Sequence, residues 1–355
     1  KLPKAAVKPG AERIPMLSIR FNRLAITIAA AASFVLAGPL AAQTPDHPTD
    51  TAQFPSARDL RVMTRTGSYL AARHASVERD ARSAAAFYRT ALRTDPKNNE
   101  LLDRAFISSL AEGDIDAAVK LADRILVVDK SNRVARLVIG VHNLKLKKYA
   151  AARKNIDQSV RGPITDLVAT LLSSWADYGA GEVKRAVANI DKLTGPEWYP
   201  IFKDLHSGML LDLAGREKEA GVRLERAYKL DDSALRVADA YARWLSRNKD
   251  DAAALAVYES FDNKLARHPL ILEGIRETKA GKKLPQLVSS PQSGAAEALY
   301  GIGASLTRRG GEDLALVYLQ LALYLAPNHP MALLSLADLY ESVKKPEMAI
   351  GVYQR

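Results

Sequence analysis

The sequence predicts an all-α solenoid of stacked helical hairpins, and three observations carry that reading. Alanine recurs at positions 84, 118, 152, 186, 220 and 254, always 34 residues apart, and the series resumes at 315 and 349 after one period plus 27 residues. Around each alanine, small and large apolar residues keep a fixed order. The order is clearest from residue 296 on, where Gly303, Leu306, Ala315 and Leu319 are followed 34 residues later by Ala337, Tyr340, Ala349 and Tyr353. Small residues let two helices approach closely, and the large ones fill the space between them. Finally, aromatic residues make up only 6% of the 355-residue chain and cysteine is absent, as suits helices packed through alanine rather than around one aromatic centre. Without cysteine there is no disulfide staple, thiolate metal site or thiol nucleophile.

Eight units follow from this phase, starting near 65, 99, 133, 167, 201, 235, 296 and 330, the last of them incomplete. Six fill residues 65–268. Their early small position reads Ala72, Phe106, Gly140, Ser174, Gly208 and Ala242, with Phe106 the one large exception, and their late apolar position reads Tyr88, Ala122, Ile156, Ile190, Leu224 and Tyr258. The punctuation agrees with the phase. Gly113-Asp114 supplies a helix stop followed by an N-cap, Asp95-Pro96 opens an inter-unit turn, Gly162-Pro163 and Gly195-Pro196 bracket the worn fourth unit, and Asp231-Asp232 and Asp250-Asp251 sit where capping is expected. Residues 269–295 read as an insertion with a short helix over Leu270 to Lys279, the remainder being surface loop. Two further units occupy 296–355.

Ahead of the array, a leader is expected. Met16 begins a secretory-signal pattern: Arg20 and Arg23 form a positive region, Leu24 to Leu36 an apolar core too short for a membrane span, and Leu40-Ala41-Ala42 a small-residue exit before Gln43. A lipid-bearing cysteine is missing at 43. Residues 1–42 therefore read as an upstream segment plus a cleaved signal, 43–64 as a flexible tether, and the mature protein as periplasmic without a stable membrane span. The net charge of +11 is partly a leader effect. Residues 1–42 hold six Lys or Arg against one Glu, which leaves +6 for the rest, too little to point to nucleic acid.

Sequence chemistry points away from catalysis. The six histidines, at 47, 74, 142, 206, 268 and 329, never stand at the i, i+4 spacing of a helical metal pair. Gly301-Ile302-Gly303 is followed by Leu306 where a dinucleotide fingerprint needs glycine, and helical residues precede it. Neither a nucleophile elbow, a zinc-protease pair nor a phosphate-binding loop is present.

Leu299, Ile302, Gly303, Leu306, Ala315, Leu319, Ala322 and Pro327, with their counterparts in the next unit, make the chain resemble the tetratricopeptide repeat family. That resemblance implies a right-handed twist and a concave groove lined by the second, fifth, ninth, twelfth and thirteenth residues of each first helix. By register these are Phe202, Leu205, Met209, Asp212 and Leu213 in unit five. In unit six they are Arg236, Asp239, Arg243, Ser246 and Arg247, and in unit seven Glu297, Tyr300, Ala304, Thr307 and Arg308. Arg236, Arg243 and Arg247 fall on one helical stripe and, with Tyr300 and Arg308, are the candidate partner-binding residues; guanidinium groups suit carboxylates of an extended peptide. The expected function is a non-catalytic scaffold or adaptor for a protein or peptide, needing no cofactor. Units seven and eight with the leader are similar to adaptors of carboxyl-terminal processing proteases. The alternative is the recognition portion of a larger enzyme or envelope-assembly protein.

Overall fold

In the computed structural model the described residues are 60 and 63–355, except 161, 249, 308 and 309. The leader, most of the tether and Arg308 lie outside them. The described residues form seventeen α-helices and no strand. Antiparallel pairs follow one another: α1 (Arg65–Val77) with α2 (Ala81–Thr94), α3 (Asn99–Glu112) with α4 (Ile115–Val128), α5 (Arg133–Lys145) with α6 (Tyr149–Ile156), and α7 (Pro163–Gly179) with α8 (Val183–Lys192). Then come α9 (Tyr199–Leu213) with α10 (Glu217–Leu230) and α11 (Leu235–Arg247) with α12 (Asp251–Lys264). A single helix α13 (Pro269–Lys279) precedes the last two pairs, α14 (Pro291–Thr307) with α15 (Glu312–Leu325) and α16 (Pro330–Ser342) with α17 (Pro346–Tyr353). Each helix up to α13, and again from α14 on, packs on the next, which is the connectivity of a hairpin solenoid.

The phase read from the sequence is a packing rule. All eight phase alanines are buried, none more than 2% exposed. They lie where a second helix crosses its first, and the partner positions show why bulk is excluded there. A Cβ on Gly140 would stand 2.6 Å from Ile156 Cγ1 and 3.3 Å from the Ala152 carbonyl oxygen; Gly303 faces Leu319 and the Ala315 carbonyl in the same way. Helix ends obey local chemistry. Asp114 and Asp250 accept the backbone N–H of Ala117 and Ala253 as N-caps, and Gly113 ends α3 in the left-handed region at φ 88°. Asp231 instead closes the turn after α10 by accepting from Ser233.

Two features depart from the sequence reading. Helix α13 begins 34 residues after α11, so the phase continues into the 27 extra residues and breaks only after them. The stretch is half a unit: a first helix packed on α12, with residues 280–290 running on without the second helix. Nor do those residues form a bare surface loop, since Leu284 and Val288 are buried. The second departure concerns α14 and α15. They do not simply extend the stack; α14 packs across α7 and α9, and α15 across α3, α4 and α5. Unit seven is therefore seated in the concave face that the first helices of units two to five create.

That seat is permanent on energetic grounds. Helix α14 buries Leu299, Tyr300, Ile302 and Leu306, and α15 buries Val317, Tyr318, Leu319, Leu321, Leu323 and Leu325. At about 1.5–3 kcal/mol for each large apolar side chain, fully exposing half of these would cost roughly 7.5–15 kcal/mol, as much as the 5–15 kcal/mol that stabilises an ordinary domain. The signal was present in the residues Leu314 to Leu325, apolar all round except for Gln320. A helix apolar on every side belongs in a core, not on the outer face of an array. Gln320 is accommodated by donating toward the Ala111 carbonyl (3.3 Å) and the Tyr340 hydroxyl (3.2 Å).

Candidate functional site

The groove positions divide into a filled part and an open part. In units three and four they include Val141, Leu144, Leu171 and Trp175, all buried beneath α14 and α15. Gly294 makes the closest approach, for a Cβ there would lie 2.4 Å from the Trp175 ring. Polar latches rim this contact. Gln292 donates to the Leu144 carbonyl (2.9 Å) and Lys145 to the Tyr324 carbonyl (2.7 Å). The Tyr324 hydroxyl donates to Asp116 Oδ1 (3.1 Å) and lies 2.7 Å from His142 Nδ1.

The arginine stripe of unit six is present as geometry, and its partners are other residues of the same chain. Arg236 makes a two-point pair with Glu297, through its Nη2 on Oε1 and its Nε at 3.2 Å from Oε2, and also reaches Asp239 at 3.1 Å. Asp239 accepts from Arg243 Nε (2.7 Å) and the Tyr258 hydroxyl (2.9 Å). Arg247 pairs with Asp212 and donates to the Leu284 carbonyl (3.1 Å), while Arg243 also reaches the Pro285 carbonyl (3.4 Å). Gln286 completes this strap, residues 280–290, by donating to the Asp212 carbonyl (2.7 Å). Tyr300 is buried with its ring centroid 5.0 Å from that of His329. Of the five candidate residues, four thus meet at the junction of α11, α14 and the strap; Arg308 lies outside the described residues.

Electrostatics explain why the junction holds. Burial pulls the Arg236 guanidinium down, but the carboxylates of Glu297 and Asp239 outweigh it and hold it firmly charged. Burial raises Glu297, but Arg236 and His329 more than reverse that, keeping its carboxyl far below the ordinary range. His329 is the N-cap of α16. Its Nδ1 accepts from the Ala332 N–H (3.2 Å), which leaves Nε2, 3.1 Å from Glu297 Oε1, to carry the proton. The raised Asp212 reflects burial first, against the pull of Arg247.

His206 stands behind this junction, fully buried, with Nδ1 accepting from Trp175 Nε1 (3.2 Å). Burial pushes its pKa down from 6.5 to about 4, against the pull of Glu297. The native protein therefore refuses a proton that the unfolded chain takes up. Stability is full above the unfolded value of 6.5 and falls as pH drops toward 4, at about 1.4 kcal/mol per pH unit, roughly 3 kcal/mol in all. Urea unfolding at pH 7 and pH 5 should show this loss in the native chain and a smaller one in His206→Gln, whose amide can still accept from Trp175.

The open part of the groove lies at units one and two. The register that gave Arg236 and its neighbours in unit six gives Glu100, Asp103, Ile107, Leu110 and Ala111 in unit two. All but Leu110 line a cleft of about 780 Å³ between α3 and the edge formed by α15, α16 and α17. Ile107 is 48% exposed, with Leu316, Val343 and Met348 also lining the cleft. Sequence reading passed over these residues because a lone isoleucine among charges stands out less than three arginines on a stripe. Among the described residues no group of three His, Asp or Glu is placed to hold a metal ion.

The described part of the chain is thus an α-solenoid of helical hairpins with one hairpin seated in its own groove. No family model and no curated protein matches the sequence. Solved structures similar in their helical arrangement include a tetratricopeptide repeat protein from Parabacteroides merdae. It is 12% identical, with 78% of this chain and 98% of that one covered, at a TM-score of 0.48. Another is a chain of the APC/C hetero-tetramer Cut9-Hcn1, 17% identical with a TM-score of 0.34; 80% of this chain is covered, but it spans only about half (51%) of that one.

Proposed function

We propose that this protein is a non-catalytic scaffold of the bacterial periplasm that holds a protein or peptide partner in the cleft between its first two and last two hairpins. The observation that carries the reading is Ile107, an apolar groove residue left about half exposed in a cleft of about 780 Å³ while groove positions of units three and four are filled. Uncovered apolar surface of this kind on a hairpin array is interaction surface. Periplasmic placement is supported by the leader pattern from Met16 to Gln43. Among the described residues no helix is long and apolar enough to cross a membrane. The modest residual charge favours protein over nucleic acid as partner, and the recognised chemistry of the chain calls for no cofactor. Delivery of a substrate to a carboxyl-terminal processing protease is the form of this role suggested by the sequence resemblance. A photo-crosslinking residue at position 107, activated in intact cells, should form an adduct with another envelope protein, and Leu316→Arg should abolish it. No adduct, or an adduct with cytoplasmic proteins alone, would refute the assignment.

A further inference from the structure

The cleft also has a shape and a charge pattern that narrow its occupant, an inference resting on the scaffold reading above. Helix α3 turns Glu100, Asp103, Ile107 and Ala111 into it. These stand at i, i+3, i+7 and i+11, one continuous helix face about 16 Å long. Farther along the array the corresponding faces of α7 and α9 are covered by α14, another helix. The missing cover that repeats this packing is a helix of about three turns, since ridges of side chains at i+3 and i+4 spacing mesh best with ridges of the same kind.

Charge then selects among helices. Asp103 on α3 and Glu312 and Asp313 in the first turn of α15 line the cleft, and none of the three has an ion-pair partner among the described residues. Arg104, next to Asp103 in sequence, is already held by Glu100 at 2.9 Å. The remaining cations of the lining, Arg79 and Lys345, sit at the turns before α2 and α17. The helical walls are therefore acidic, in a chain whose Lys and Arg outnumber its acids by 51 to 40. Burial, followed by the neighbouring charge of Asp129, raises the Asp103 carboxyl, as expected of an acid without a cation beside it.

We propose that the cleft receives an amphipathic α-helix of a partner protein, its apolar stripe resting on Ile107 and Leu316 and its flanking Lys or Arg side chains facing Asp103, Glu312 and Asp313. The test uses two labelled helical peptides of fourteen residues with the same leucine stripe, one flanked by lysine and the other by glutamate, read by fluorescence anisotropy against the full chain. The lysine peptide should bind at least ten-fold more tightly than the glutamate peptide. Asp103→Lys with Asp313→Lys should erase or invert that preference, and Ile107→Arg should abolish binding of both peptides with the circular dichroism unchanged. Equal affinities, no binding of either peptide, a lysine preference that survives the double charge reversal, or equal binding of a proline-interrupted peptide of the same composition would overturn the proposal. An adduct at position 107 in cells without a charge preference in the peptides would remove the basic helix and leave the scaffold standing.

Discussion

Replacing Glu297 by Gln is expected to lower the unfolding free energy by about 3–5 kcal/mol, the usual result of stranding one member of a buried ion pair. Four ionised groups meet there in balance: Arg236 and Arg243 against Asp239 and Glu297, with Asp239 and Glu297 both buried. Glutamine keeps the shape and loses the charge, so Arg236 remains desolvated beside a single shared carboxylate. Urea denaturation at pH 7 would measure the effect as a shift in midpoint. The double variant Arg236→Met with Glu297→Met should recover all but about 1–2 kcal/mol, because well-packed apolar residues replace a buried pair at little net cost. If Glu297→Gln alone costs less than 1 kcal/mol, the junction does not hold unit seven in place. The pH dependence has a defined sign. The folded carboxyl titrates below the ordinary glutamate value of 4.5, so its stabilisation is complete above that value and is lost as the solution becomes more acidic. This loss begins where the loss through His206 is nearly complete.

Gly294→Val is expected to cost about 3 kcal/mol, at the upper end of the range for overpacking a core. A Cβ at this position lies 2.4 Å from the ring of Trp175, which is fully buried and tied to His206 by its indole N–H. Replacing a helical glycine by alanine normally gains about 0.5–1 kcal/mol, and by valine somewhat less. Here the clash outweighs that gain. Gly301→Ala is the matched control: its Cβ would sit 3.3 Å from Phe202, which is only partly buried and can yield. It should be neutral or slightly stabilising. Equal losses for the two variants would mean that α14 does not lean on α7 as described.

Both predictions concern a contact that sequence periodicity does not contain. The phase alanines were legible because every hairpin must pass a small side chain at the same crossing, so the constraint repeats and can be read by counting. For the same reason the phase continues to Pro269, although the missing second helix disguised that half-unit as an insertion. The seating of unit seven happens once, between residues as distant as Gln320 and Ala111, and leaves no repeating trace. Its only local mark is the apolar run from Leu314 to Leu325, which departs from the one-sided pattern of an outer helix. The arginines of unit six were equally visible, yet a stripe of charge does not reveal whether its counter-ions come from a partner or from Glu297, 61 residues away.

By itself, then, the sequence determined the helices, their pairing and the phase of the stack, because these depend on neighbours one unit apart. Only the tertiary structure decided which stretch of groove stays open, because that depends on where a hairpin too apolar to remain outside finds its burial.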